Sequence, residues 1–151
     1  MRKDTRVFEA NPQGGGAFGD LPAWDLSDLY ESEDAPELHA DLIQLEQACN
    51  DFSNNYDGKL ARLNADEMLK AVERYEAIDI IAGRIMSFAG LRYYQLTTDP
   101  ERAKFMSDMQ DKLTEHTTKL VFYGLEFNRL DEEVLSNLLS ENIALARYKP
   151  V

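Results

Sequence analysis

Residues 34–58 read DAPELHADLIQLEQACNDFSNNYDG, and they carry a helix signal from start to stop. Asp34 can cap the N-terminus, Pro36 is tolerated in a first turn, and Glu37 stands at capping-box distance from Asp34. Leu38, Leu42, Leu45, Cys49, Phe52 and Tyr56 then recur at alternating spacings of four and three residues. That pattern lays one apolar stripe along a helix, with Asp41, Glu46, Gln47 and Asn50 outside it. Asp57-Gly58 closes the element, because glycine readily takes the left-handed conformation that a helix terminus favours. The stretch predicts a helix over 35–57.

The same reading extends outward. Asn64 and Glu67 again have capping-box spacing and open a helix predicted over 64–95. Leu69, Val72, Tyr75, Ile81, Ile85 and Phe88 mark its core face, widened by Ile78, Ile80, Met86 and Tyr93. Gly83, Ser87 and Gly90 form a strip of small residues suited to close approach of a neighbouring helix. Asp99 or Thr98, with Pro100 in the first turn, begins a third helix over 99–129. It carries Met106, Met109, Leu113, Leu120 and Phe127 in a heptad-like register, with Phe105 and Val121 beside them. Asp131 starts a short helix over 131–140, with Val134, Leu135, Leu138 and Leu139 inward, and residues 142–151 follow without a helix signal. Short connections make successive helices antiparallel. The expectation is an all-α, antiparallel up-and-down helical bundle of three long helices and one short one. An extended strap over 21–33 precedes it, and residues 1–20 form a tail or linker.

The acidic composition limits the partners. Among 151 residues, 28 acids against 16 bases give a net charge of −12. Such a surface repels phosphate backbones and anionic lipid, so neither nucleic acid nor membrane is an expected partner. No apolar stretch reaches the roughly 18 uncharged residues of a membrane span. The N-terminus MRKDTRVFEANPQGGG has no apolar core for a signal peptide, and a cytoplasmic location is expected.

The chemical motifs mostly fail on context. GGGAFG (14–19) matches a dinucleotide-binding fingerprint but has no strand before it and no helix opening after it, so it reads as linker. The single Cys49 lies on the first helix's stripe and reads as a small buried hydrophobe. His39 sits one position off that stripe, while His116 falls in the third helix's register as a satisfied core or boundary residue. Ser53, Asn55, Asp57, Gly58 and Asn64 take calcium-loop spacing, but the Asp at the first position and the Glu at the last are missing. There is no H-E-x-x-H, no Glu-x-x-His pair and no serine elbow. No catalytic, cofactor-binding or metal residue is assigned to the chain.

A Trp and three large apolar residues in a non-helical segment need burial, worth roughly 1.5–3 kcal/mol each. Residues 21–46, LPAWDLSDLYESEDAPELHADLIQLE, resemble the start of the oligoendopeptidase F branch of the thimet-oligopeptidase-like zinc metallopeptidases. There a W-x-L-x-x-L-Y segment precedes a long first helix, and Trp24, Leu26, Leu29 and Tyr30 match it. The likeness continues through NNYDGKLARL, YEAIDIIAGRIMSFAGLRYYQLTTDP, FYGLEFNRLDEEVLSNLL and ALARYKP, and so covers nearly all of 21–150. It implies a helical N-terminal domain that walls a substrate channel. The family's catalytic domain, with H-E-x-x-H, a later glutamate and zinc, would then lie beyond Val151. On that implication the chain is cut short and cleaves nothing alone. Its partners would be the missing C-terminal catalytic domain and the short peptides that domain hydrolyses, with a homo-oligomer as a further expectation. The alternative is a stand-alone acidic helical-bundle module for interaction or dimerisation.

Overall fold

The computed structural model describes residues 24–149. The expectations for the tail at 1–20, for GGGAFG and for the first residues of the strap lie outside the described residues. The fold is all-α. Helix α1 (Pro36–Tyr56) is followed by a 3-10 turn (Leu60–Arg62), then α2 (Ala65–Gln95) and α3 (Pro100–Thr117). A second 3-10 turn (Thr118–Leu120) leads into α4 (Val121–Phe127), α5 (Glu132–Glu141) and α6 (Ile143–Ala146). Among the described residues there is no strand.

The helix starts show which sequence signals operate. Asn64 Oδ1 accepts the Glu67 N–H at 3.0 Å and Glu67 Oε2 accepts the Asn64 N–H at 3.0 Å, a complete capping box. Asp99, Asp131 and Asn142 each accept a backbone N–H of the helix that follows, and such a cap contributes about 1 kcal/mol. The start of α1 corrects the sequence reading. Ala35, not Asp34, is the N-cap residue, and no side chain caps the helix. Pro36 forces the residue before it out of the helical region, so the boundary falls at Ala35, which is extended at ψ 133° and buried.

Packing follows the stripe of α1 closely. Leu38, Leu45, Cys49, Phe52 and Tyr56 are all buried. Of the expected core face of α2, Ile78, Ile85 and Phe88 are buried and Leu69, Val72 and Ile81 are half-buried, with Met68, Ala71 and Ala89 buried beside them, while Tyr75 lies at the surface edge. The small-residue strip does not admit a neighbouring helix at Gly83 or Ser87, both of which are exposed. Open space surrounds the position a Gly83 Cβ would take. Ile80, assigned to the core face by sequence, is 64% exposed.

The largest departure is at the third helix, which does not run to 129. Thr117 and Thr118 turn their hydroxyls back onto Leu113 O (2.8 Å) and Thr114 O (2.6 Å), a bonding pattern that bends helices. The 3-10 turn that follows winds more tightly than an α-helix. Phe122 and Tyr123 lie against Phe52 of α1, with ring centroids 6.0 and 5.3 Å away. Tyr56 at 4.8 Å and Tyr75 at 5.8 Å complete the cluster around Phe52. Val121 and Val134, both expected near the core, are exposed instead. After α5, Asn142 starts the one-turn α6 where no helix was expected.

The strap from Trp24 to Ala35 lies over α1 and α2. Tyr30 is 2% exposed, its ring edge-on to Phe88 at 5.3 Å, and its hydroxyl donates to Asp41 Oδ2 at 2.6 Å. Burial, then the adjacent Asp41 carboxylate, push its phenol above the usual tyrosine range. Arg84 covers the ring at 4.4 Å and donates to Asp41 (3.2 Å) and to Leu29 O (2.6 Å). Arg92 pairs with Glu33 at 3.0 Å, and Gln95 donates to Trp24 O at 2.8 Å. Leu26 and Leu29 are half-buried against the core, but Trp24 is 56% exposed and does not obtain the burial expected of it.

Phe52→Ala is expected to cost about 3–5 kcal/mol, because it empties a closed aromatic site. Ile80→Ala should stay within about 0.5 kcal/mol. Urea unfolding followed by circular dichroism measures both.

Candidate functional site

An apolar groove lies on one side of the molecule, with a volume of about 960 Å³. One wall is the N-terminal half of α2, through Met68, Val72 and Tyr75. Tyr123 and Phe127 of α4 form the end next to the aromatic cluster, and Leu135 and Leu139 of α5 face α2 across the opening. Leu145 and Ala146 of α6 close the remaining side. Tyr75 and Tyr123 stack at 4.5 Å between centroids with an interplanar angle of 22°, so their rings form a continuous surface.

Polar contacts hold the groove's edges in place. The Tyr148 hydroxyl donates to Glu76 Oε2 at 2.9 Å and accepts from Arg147 at 2.6 Å, which ties the segment after α6 to α2. Asn142 Nδ2 donates to Asp66 Oδ1 at 2.7 Å and fastens the start of α6 to the start of α2. Glu126 of α4 reaches the turn after α1, accepting the N–H of Gly58 at 2.6 Å and of Leu60 at 3.2 Å. Gly58 has φ +73°, a conformation costly for any residue with a Cβ, and this turn presents its amides to the carboxylate. The groove is therefore lined by apolar side chains on braced helices. Its outer edge carries Glu76, Asp79, Glu132 and Lys149. A smaller depression of about 400 Å³ shares Tyr75 and Asp79 with it and continues past Ile78 to Thr117 and Gly124.

The residues singled out by sequence are not brought together here. Cys49 is fully buried, and burial pushes its thiol up, as suits a packed hydrophobe rather than a nucleophile. His39 is exposed, and its Nδ1 lies 3.0 Å from Ala35 O, so the proton sits on Nδ1. His116 is half-buried, and its Nδ1 is buried with no hydrogen-bond partner among the described residues, contrary to the satisfied histidine expected. The calcium-loop spacing is occupied by protein: Lys59 Nζ donates to Asn54 O and Asn55 O at 2.9 and 3.0 Å, and Glu126 takes the Gly58 amide. An ammonium over the last carbonyls of α1 satisfies a helix C-terminus, which is the structural role of that loop.

Among the described residues, no group of three or more His, Cys, Asp or Glu side chains is placed to hold a metal ion. The arrangement at the groove is suited to binding an apolar surface rather than to bond chemistry. Sequence reading did not find it, because Tyr75, Tyr123, Leu135 and Leu145 lie on separate helices and meet only in the folded chain. Comparison of the chain with family models, with curated proteins and with solved structures finds no match.

Tyr123 is the groove residue whose ionisation is most displaced: burial first, then Tyr75, Tyr148 and Tyr56, push it up to about 12. A pKa raised in the folded state favours folding below the unfolded value near 10, and this contribution is lost as pH rises toward 12. The chain should therefore lose stability between about pH 10 and pH 12, and Tyr123→Phe should lose less over that interval. Unfolding midpoints across the alkaline range for both proteins check the difference.

Proposed function

We propose that the chain is a non-catalytic helical N-terminal domain of a zinc-dependent oligopeptidase that hydrolyses short peptides in the cytoplasm. Its role is architectural: it walls the substrate channel and packs against the catalytic domain, where the zinc and its ligands reside. What supports the reading is the segment from Trp24 to Tyr30, which carries the W-x-L-x-x-L-Y resemblance. This segment is anchored by buried Tyr30 yet keeps the Trp24 indole 56% exposed. A large aromatic side chain held outward on a fixed strap suits a surface completed by a second domain.

A stand-alone acidic helical module that pairs with a second copy is the other reading, favoured by one specific observation. Ile80, Gly83, Ser87 and Tyr94 lie on one exposed face of α2, and small residues on such a face let two helices approach closely.

Reading the encoding DNA past codon 151 separates the two. An in-frame continuation reaching H-E-x-x-H is the expected result, and a stop codon directly after Val151 would overturn the peptidase reading. The 151-residue chain should also leave short fluorogenic peptides intact with or without added zinc. Hydrolysis dependent on stoichiometric zinc would contradict the assignment of the chemistry to another domain.

A further inference from the structure

We infer that the groove between α2 and the α4–α6 segment is a docking site for a basic amphipathic helix of another polypeptide. The inference is independent of the peptidase reading, since it concerns only surfaces of this chain.

Three observations select that occupant. The first is shape. Along α2 the groove runs from Met68 to Asp79, about 16 Å or three turns at the α-helical rise. That matches a helix laying anchors at successive turns into a trough of about 960 Å³.

The second is backbone satisfaction. The walls are helices, whose own N–H and C=O groups are bonded internally, and the described residues offer no strand edge. An extended peptide pressed into an apolar groove would bury unpaired backbone groups there, whereas a helix brings its own hydrogen bonds with it.

The third is charge. The rim carries three carboxylates, Glu76, Asp79 and Glu132, against Lys149 and the Arg147 guanidinium, which sits on Tyr148 beside Glu76. Glu76 is held by Tyr148, but Asp79 and Glu132 have no ion-pair or hydrogen-bond partner among the described residues. Lysine or arginine flanking the partner's apolar stripe would meet those carboxylates, and the stacked Tyr75 and Tyr123 rings offer a further face to a cation. Leu135 is half-buried on the groove wall and supplies the apolar contact opposite α2.

The test is fluorescence polarisation of the full chain with a labelled leucine–lysine peptide of about four helical turns, its leucines in helical register. A scrambled peptide of the same composition and a leucine–glutamate peptide of the same register serve as comparisons. The registered basic peptide should bind at least about tenfold more tightly than either. Leu135→Lys should weaken it about tenfold. The exposed pair Asp79→Asn with Glu132→Gln, which leaves the core untouched, should weaken it about threefold and flatten its salt dependence. Equal affinity for the scrambled peptide would reduce the effect to diffuse charge attraction and overturn the proposal. Unchanged affinity in the double variant would do the same, even if Leu135→Lys failed to fold. Failure to bind, with a dimer in sedimentation that Leu135→Lys dissociates, would give the groove to a second copy instead.

Discussion

The side chain of Phe52 has no route to solvent and must be enclosed by rings that come from distant parts of the chain. Tyr56 is supplied by α1 itself and Tyr75 by α2, while Phe122 and Tyr123 come from α4. The chain tightens into a 3-10 turn at 118–120 before α4. Burial of several aromatic rings outweighs the weaker hydrogen bonding of one 3-10 turn.

Much of the remaining architecture depends on that choice. With α4 placed against α1, Glu126 reaches the amides of Gly58 and Leu60, and Lys119 donates to Asn50 at 2.7 Å. The turn between α1 and α2 is thus held from the far end of the sequence. Stacking of Tyr123 on Tyr75 makes the end wall of the groove, and α5 and α6 then fold back beside α2 to form its other sides. At the opposite end of α2, Tyr30 performs a comparable service for the strap, fixing it between Asp41, Arg84 and Phe88. The ion pairs there are partly exposed and contribute less than the buried ring does.

Local signals carried most of the helical structure. The apolar stripe of α1, the capping box at Asn64, the cap at Asp99 and the left-handed Gly58 all act through residues a few positions apart, so their effects can be read along the chain. Ala35 was misread because the capping preference of Asp34 is weaker than the steric restriction Pro36 places on its neighbour. The bend at Thr117 was missed for a different reason. Leu113 and Leu120 keep a heptad spacing across it, and no Gly or Pro interrupts the run. The rings that follow it pack on Phe52, more than sixty residues upstream, and no periodicity within the third helix records that contact. The groove was illegible on the same grounds, as were the exposed positions of Ile80 and Trp24, which composition alone places inside.

Nuclear Overhauser contacts from the Phe52 ring, in protein labelled selectively at phenylalanine and tyrosine, test this most directly. The account predicts cross-peaks from Phe52 to both Phe122 and Tyr123, together with slow exchange of the Gly58 and Leu60 amides held by Glu126. Absence of any contact between Phe52 and either α4 ring would contradict it.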